Sequence, residues 1–301
     1  MLISNQCLFD QDIVTIVKGD KMNIDQMLEH FKKLYSRRNR LCFPYGLNEL
    51  LQLMGYSFSK LDRSIRKNNP IEIVSARLAD TIAWFCGVVN YFDNLPLALA
   101  FAAKYGKTEC PYCEVHYCVC DPESRPEPEK IFLQTTTTDK RGRTIDWWCD
   151  HLNKIFGQRN REKGIHRILN HLIEEMHEVL LLTGIAAIKP NELKALEEQF
   201  AFELADVLAH LMAIKNLELK KIDLSVIIKK CYGHGCPTCK ENPLSMPPSN
   251  LRWRKGGGSN QNWYDKLNTC QKNEESFSTP AMAGVFLCLC YNHFNSRYGQ
   301  D

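Results

Sequence analysis

The sequence predicts an all-α protein made of two tandem helical bundles, each followed by a small cysteine-rich element. Three observations predict it. Apolar residues recur at helical spacing around two acidic phrases: Leu172, Ile173, Met176, Val179 and Leu180 around the first, and Phe202, Leu204, Ala205, Leu208, Leu211 and Met212 around the second. The stretch Ile24–Arg40, IDQMLEHFKKLYSRRNR, aligns without a gap on Ile145–Arg161, IDWWCDHLNKIFGQRNR. Cysteines gather near the end of each repeat, between Cys110 and Cys120 and between Cys231 and Cys239.

The alignment pairs Asp25 with Asp146, His30 with His151, Lys33 with Lys154, and Arg38, Asn39 and Arg40 with Arg159, Asn160 and Arg161. After a short insertion in the second copy between Arg161 and Leu172, Asp80 pairs with Asp206, Asn90 with Asn216, Cys110 with Cys236 and Cys113 with Cys239. Such periodic identity marks a tandem duplication.

The elements follow in order. Residues 1–21 are a lead-in whose DIVTIV reads as a strand or an extra helical turn. Residues 22–121 are the first copy, with helices expected near 24–37, 46–66, 70–91 and 95–104. Residues 122–143, with DPESRPEPEK and TTTTDKRGR, are a Pro-, Glu- and Thr-rich linker. Residues 144–246 are the second copy, with helices expected near 145–157, 163–183, 190–216 and 223–231; Pro190 and Asn191 open the third and IDLS the fourth. Residues 247–301 are a tail with Trp253 and Trp263 among basic and glycine residues. Aromatics among cations can stack on bases, but a loose extension folding back on the bundle is the favoured reading, and nucleic acid is not an expected partner.

The acids carry the chemistry. Glu174, Glu175 and Glu178 lie in EEMHE, and Glu203 and Asp206 in ELAD. Helical neighbours three or four apart share a face, so two such faces turned together concentrate hard oxygen ligands. Carboxylates completed by water suit Mg²⁺ or Mn²⁺. A charge run is ordinarily a solvated face. Here the apolar flanks leave little of either turn for water. A di-iron bundle would need two Glu-x-x-His pairs, and the chain offers one, Glu174 with His177.

The phrase E-E-x-x-E, followed after about two dozen residues by E-x-x-D, resembles the signature of the MazG-like all-α nucleoside triphosphate pyrophosphohydrolases over roughly residues 144–240. The resemblance implies a helical bundle that hydrolyses a nucleoside triphosphate to monophosphate and pyrophosphate. It implies Mg²⁺ on Glu174, Glu175, Glu178, Glu203 and Asp206, with Glu175 and Glu178 as candidates to orient or deprotonate the attacking water. Family members commonly work as oligomers of the single unit, so a homo-oligomer or an intrachain pseudo-dimer of the two copies is expected. In the first copy the five acids map to Asn48, Glu49, Gln52, Arg77 and Asp80. That copy is expected to be degenerate, with Arg77 neutralising Glu49 and Asp80 where a metal would have been.

Basic residues precede the second acidic helix. Arg159, Asn160 and Arg161 are candidate contacts to the triphosphate, set against a solvated basic face. Asn216 and Lys230 are further candidates, although an asparagine there suits a helix end. Trp147 and Trp148 are possible lining residues of a base pocket and equally suited to the core.

In the first cysteine cluster Cys110, Cys113, Cys118 and Cys120 form two close pairs, a spacing suited to a structural tetrahedral Zn²⁺. A redox role for Cys-Pro-Tyr-Cys asks for a preceding strand in a βαβ unit, whereas LPLALAFAAKYG reads as helix. In the second cluster Leu244 and Met246 replace the latter pair, leaving Cys231, His234, Cys236 and Cys239 as a second candidate Zn²⁺ set. Cys270, Cys288 and Cys290 in the tail are also available.

With 301 residues and 44% hydrophobic content, the chain can bury real cores. The N-terminus lacks the charged start and apolar run of a signal peptide, so the 14 cysteines are expected to be reduced or metal-bound in a cytoplasmic protein. No apolar stretch reaches the roughly 20 residues of a membrane span. A net charge of +3 does not argue for nucleic acid. The alternative from another class is a non-enzymatic, zinc-stabilised helical adaptor with a vestigial acidic cluster.

Overall fold

The computed structural model describes residues 21–42, 46–120, 140–188 and 193–237. Among them eight helices form: α1 (Ile24–Cys42), α2 (Leu47–Arg66), α3 (Ile71–Val89), α4 (Leu97–Tyr105), α5 (Ile145–Lys163), α6 (Ile165–Ile188), α7 (Leu193–Glu218) and α8 (Leu224–Tyr232). The described residues hold no strand; an isolated antiparallel bridge joins Asn23 to Thr144. The all-α expectation holds over these residues. The DIVTIV segment, nearly all of the linker and the tail from Pro247 lie outside them. No described helix is long and apolar enough to cross a membrane.

The first helix of each repeat starts at that bridge. Asn23 accepts from the Gln26 amide at 2.8 Å while Gln26 returns its side chain to the Asn23 amide at 2.9 Å, a reciprocal N-terminal cap. Thr144 caps α5 by accepting from Trp147 N–H at 3.1 Å. The sequence suggests an end for α5 at Gly157, yet the helix runs on to Lys163. The true stop is Gly164, whose φ of +78° ends the ladder. Gly157 is interior because the Asn153 and Arg161 side chains crowd the place a Cβ would take.

Helices α3 and α7 are central. Helix α3 packs on α1, α2, α7 and α8, and α7 on α3, α4, α5 and α6. The short fourth helices cross over: α4 of the first repeat lies on α7 of the second, and α8 lies on α3 of the first. Aromatics lock both crossings. Tyr105 at the end of α4 meets Phe156 edge-on with centroids 6.2 Å apart, and Tyr232 at the end of α8 meets Tyr35 in the same way, also at 6.2 Å. Phe101 of α4 stands edge-on to the fully buried Trp148 at 5.0 Å, which assigns Trp148 to the core.

The chain divides into two compact units, Met1–Gly233 and His234–Asp301, so both repeats belong to the first unit. The described part of the second unit is the turn 234–237.

Residues identical between the repeats hold this architecture. Asn216 donates its amide to the Cys149 carbonyl at 2.7 Å, and Asn90 donates to the Leu28 carbonyl, the equivalent position, at 3.0 Å. His151 donates to the carbonyls of Tyr105 and Lys107, each at 2.9 Å, fastening the end of α4. Each asparagine amide ties the end of a central helix to the first helix of its own repeat. Asn90→Ala and Asn216→Ala are therefore each expected to cost about 1–2 kcal/mol of stability in urea unfolding. A neutral Asn216→Ala would remove its structural role.

Candidate functional site

Helices α6 and α7 bring carboxylates together. Glu175, Glu203 and Asp206 each offer an oxygen, and these atoms all lie within 4.8 Å of one another. Glu175 and Asp206 are buried, and Glu203 is half-buried. Glu178, one turn beyond Glu175, hydrogen-bonds with Glu203. Glu174 is not in this group. Glu174 instead pairs with Nδ1 of the pocket-lining His171 at 2.6 Å and is half-buried. Of the five acids the sequence offers as ligands, Glu175, Glu203 and Asp206 are the ones whose oxygens meet.

Burial, reinforced by Asp206 and Glu178, pushes the Glu175 carboxyl up to about 9. The same causes lift Glu203 to about 8. Both hold protons at neutral pH when no cation is present, and a bound cation would release them.

A cation of the chain's own already enters the site from the first repeat. Lys104, buried near the end of α4, donates from Nζ to Asp206 Oδ2, and Tyr105 donates its hydroxyl to Asp206 Oδ1. Burial opposes the Lys104 charge, but Asp206, Tyr112 and Glu203 outweigh it and hold the ammonium above its ordinary value. The equivalent place in the first repeat receives α8. There Tyr232 donates to Asp80 Oδ1 at 2.7 Å, and Arg77, in the position of Glu203, pairs with Asp80 at 3.4 Å. The expected Arg77–Asp80 neutralisation is present. Glu49 Oε2 is buried without a hydrogen-bond partner, so Arg77 does not serve both acids.

A pocket opens on the intact acids. Its lining includes Glu175, Asp206, Tyr105, Tyr112, Arg159, Asn160, His171, His210 and Asn216. Three of the sequence candidates for nucleotide contact are thus gathered there: Arg159, Asn160 and Asn216. Arg161 is not, since it lies on the exposed face of α5. Lys230 is exposed on α8, whose terminal tyrosine serves Asp80 of the first repeat. The crossing of the fourth helices thus removes Lys230 from the intact acids and supplies Lys104 in its stead.

Two histidines complete the lining. His171 stands one turn before Glu175, and His210 one turn after Asp206. Burial brings His210 down to about 4, and its Nδ1 donates to the Asp206 carbonyl at 3.0 Å. It is a neutral imidazole at physiological pH. The first turns of α6 carry Ile168 and His171 to the pocket. Their spacing of four from Glu175 and Asp206 was visible in the sequence; the origin of Lys104, Tyr105 and Tyr112 in the other repeat was not.

The first cysteine cluster lies beside this pocket. Sγ of Cys110 is 3.4 Å from that of Cys118 and 3.6 Å from that of Cys120, and Cys118 and Cys120 are 2.9 Å apart. All four sulfurs, Cys113 included, lie within 4.8 Å of one another. Four thiolates bound tetrahedrally at about 2.3 Å stand roughly 3.8 Å apart, so this group is compact enough to hold a metal ion. Hydrogen bonds from Cys110 and Cys120, with the Arg159 guanidinium beside it, bring Cys118 down to about 5 despite its burial. Of the second cysteine set, Cys231 is buried in α8, His234 and Cys236 stand in the second unit, and Cys239 lies outside the described residues.

No protein-family model, curated protein or solved structure matches the chain.

The raised carboxyls carry a sign. From pH 6.5 to 8.5 the folded acids bind more protons than their unfolded counterparts near 4.5, so their contribution to stability falls as pH rises. His210, His151 and His30, all lowered by burial, oppose this fall while their unfolded imidazoles, ordinarily near 6.5, still bind protons, and Cys118 opposes it with one proton against the acids' two, so the acids prevail only above about pH 7.5. In chelator, the melting temperature is expected to drop modestly between pH 7.5 and 8.5, and to drop less in Glu203→Gln. A parallel decline in that variant would rule out these acids as the source.

Proposed function

We propose that the chain is a Mg²⁺-dependent nucleoside triphosphate pyrophosphohydrolase of the MazG-like kind, with its working acids in the second repeat and a degenerate first repeat. The observation that carries the reading is the meeting of Glu175, Glu203 and Asp206 within 4.8 Å, beside a pocket that Glu175 and Asp206 line together with Arg159. An acid-only or base-only cleft would suit either a cation or an anion. This one suits both, as a magnesium–triphosphate substrate requires.

The donor set fits the metal. Hard oxygens, buried and close, favour Mg²⁺ or Mn²⁺ over softer ions. Glu175, Glu203 and Asp206 would hold it, with Glu178 alongside. When bound, the ion supplies charge against the triphosphate and Lewis acidity at phosphorus. Glu178, hydrogen-bonded to Glu203, or Glu175 would orient or deprotonate the attacking water. Lys104, buried against Asp206, balances that acid when no cation is present. Arg159 offers the planar fork that phosphate favours. Neutral His210 adds no charge that would compete with a cation. The intrachain pairing of the repeats takes the place of the second subunit that single-unit relatives of this kind recruit. At the cysteine cluster we assign a structural Zn²⁺, because four thiolates so close together select a soft tetrahedral ion.

The Lys104–Asp206 pair favours one rival. It satisfies an acid without any ion, as a zinc-stabilised helical adaptor with a vestigial acidic cluster would need. Product analysis separates the two. The purified chain with Mg²⁺ and a panel of ribo- and deoxynucleoside triphosphates is expected to release monophosphate and pyrophosphate in equal amounts. Glu175→Gln is expected to lower turnover by about a hundredfold or more. Diphosphate with orthophosphate would mean a different triphosphatase chemistry. No turnover, together with no thermal stabilisation by Mg²⁺, would favour the adaptor.

A further inference from the structure

We propose that the Cys110–Cys120 element is a wall of the substrate pocket, and that zinc held by its four cysteines sets affinity for the triphosphate by fixing Arg159 and Tyr112. The inference rests on the nucleotide reading above and deepens it.

Three contacts tie the cluster to the pocket. Tyr112 lies inside the chelate loop between Cys110 and Cys113 and lines the pocket with Glu175 and Asp206. Arg159 donates from Nη1 to Cys118 Sγ at 3.2 Å and from Nη2 to Asn160 Oδ1 at 3.3 Å, with its guanidinium 4.9 Å from the Phe156 ring centroid. The Cys118 amide donates to the Ile155 carbonyl at 2.9 Å, bonding the element directly to α5 one turn before Arg159.

A zinc ion bound by four thiolates carries a net charge of about −2, which gives Arg159 a fixed anionic partner. The guanidinium is thereby held extended at the pocket edge before substrate arrives. Preorganisation of this kind raises affinity by removing the ordering cost from binding. Without the metal, the chelate loop loses its closure, and Tyr112 and Arg159 lose their common restraint together. The cysteines come from the first repeat and the acids from the second. The first repeat thus contributes a substrate-positioning surface as well as Lys104.

The test uses the full chain, zinc-loaded, beside Cys113→Ser, Arg159→Lys and the double variant. Zinc is measured by elemental analysis, Mn²⁺ binding at the acids by paramagnetic resonance, and binding of α,β-imido nucleoside triphosphates with Mn²⁺ by calorimetry. Cys113→Ser is expected to lose zinc and bind the tightest analogue about tenfold more weakly, the scale of one charge-assisted contact. Its Mn²⁺ affinity without nucleotide should stay within about twofold, because none of the acids touches the cluster. Arg159→Lys should keep zinc and show a similar loss, and the double variant should be no weaker than either single one. Wild-type nucleotide affinity in zinc-free Cys113→Ser overturns the inference. So does loss of Mn²⁺ binding there, which would make the element a general support of the fold. If the zinc-loaded wild type binds Mn²⁺ but no analogue, the nucleotide reading falls and this inference with it.

Discussion

The crossing of the fourth helices is the constraint on which the site depends. A nine-residue helix has little stability alone. Helix α4 gains its place by setting Phe101 on Trp148 and Tyr105 on Phe156, and by offering its end carbonyls to His151. Only once it is seated does Lys104 reach Asp206. The buried pair is sustainable because the aspartate also accepts from Tyr105, while the ammonium is surrounded by Glu203 and Tyr112. Packing across the repeats therefore precedes the electrostatics.

The two repeats give one framework two different chemistries. At equivalent places a central helix presents an aspartate, Asp80 or Asp206, to the tyrosine that ends the opposite fourth helix. Around Asp206 the neighbours are carboxyls whose protons a cation could displace. Around Asp80 the position of Glu203 is taken by Arg77, so charge is already balanced by the chain. Burial raises Asp80 as well, but Tyr232, Arg77 and Lys60 draw it back. The same pocket architecture can thus prepare for an ion on one side and forgo it on the other through a few side chains.

Much of this was legible in the sequence, and for identifiable reasons. Helix positions follow from apolar spacing, a local signal, and the eight expected segments correspond to α1–α8 with ends displaced by a few residues. Glu175, Glu203 and Asp206 were legible because i, i+3 and i, i+4 relations are local too. The pairing of Glu174 with His171 was less legible, because two adjacent glutamates compete for one face. Lys230 was misplaced and Lys104 overlooked for one reason: which bundle a short terminal helix joins is a long-range choice that no local pattern records. Asn216 had been considered for nucleotide contact, but its amide is spent on the Cys149 carbonyl. The match to Asn90 across the repeat hinted at that use.

Covalent linkage of the repeats has a consequence for composition. If the halves were separate chains of equal mutual affinity, random pairing would leave only about half of the dimers mixed. A dimer of two second halves would set Cys231, the residue before Tyr232, where Lys104 now meets Asp206. Its acids would lose their lysine counter-charge and the four-cysteine element together. In a single chain every molecule has one half of each kind, so the stoichiometry that the intact acids require is fixed by translation rather than by assembly.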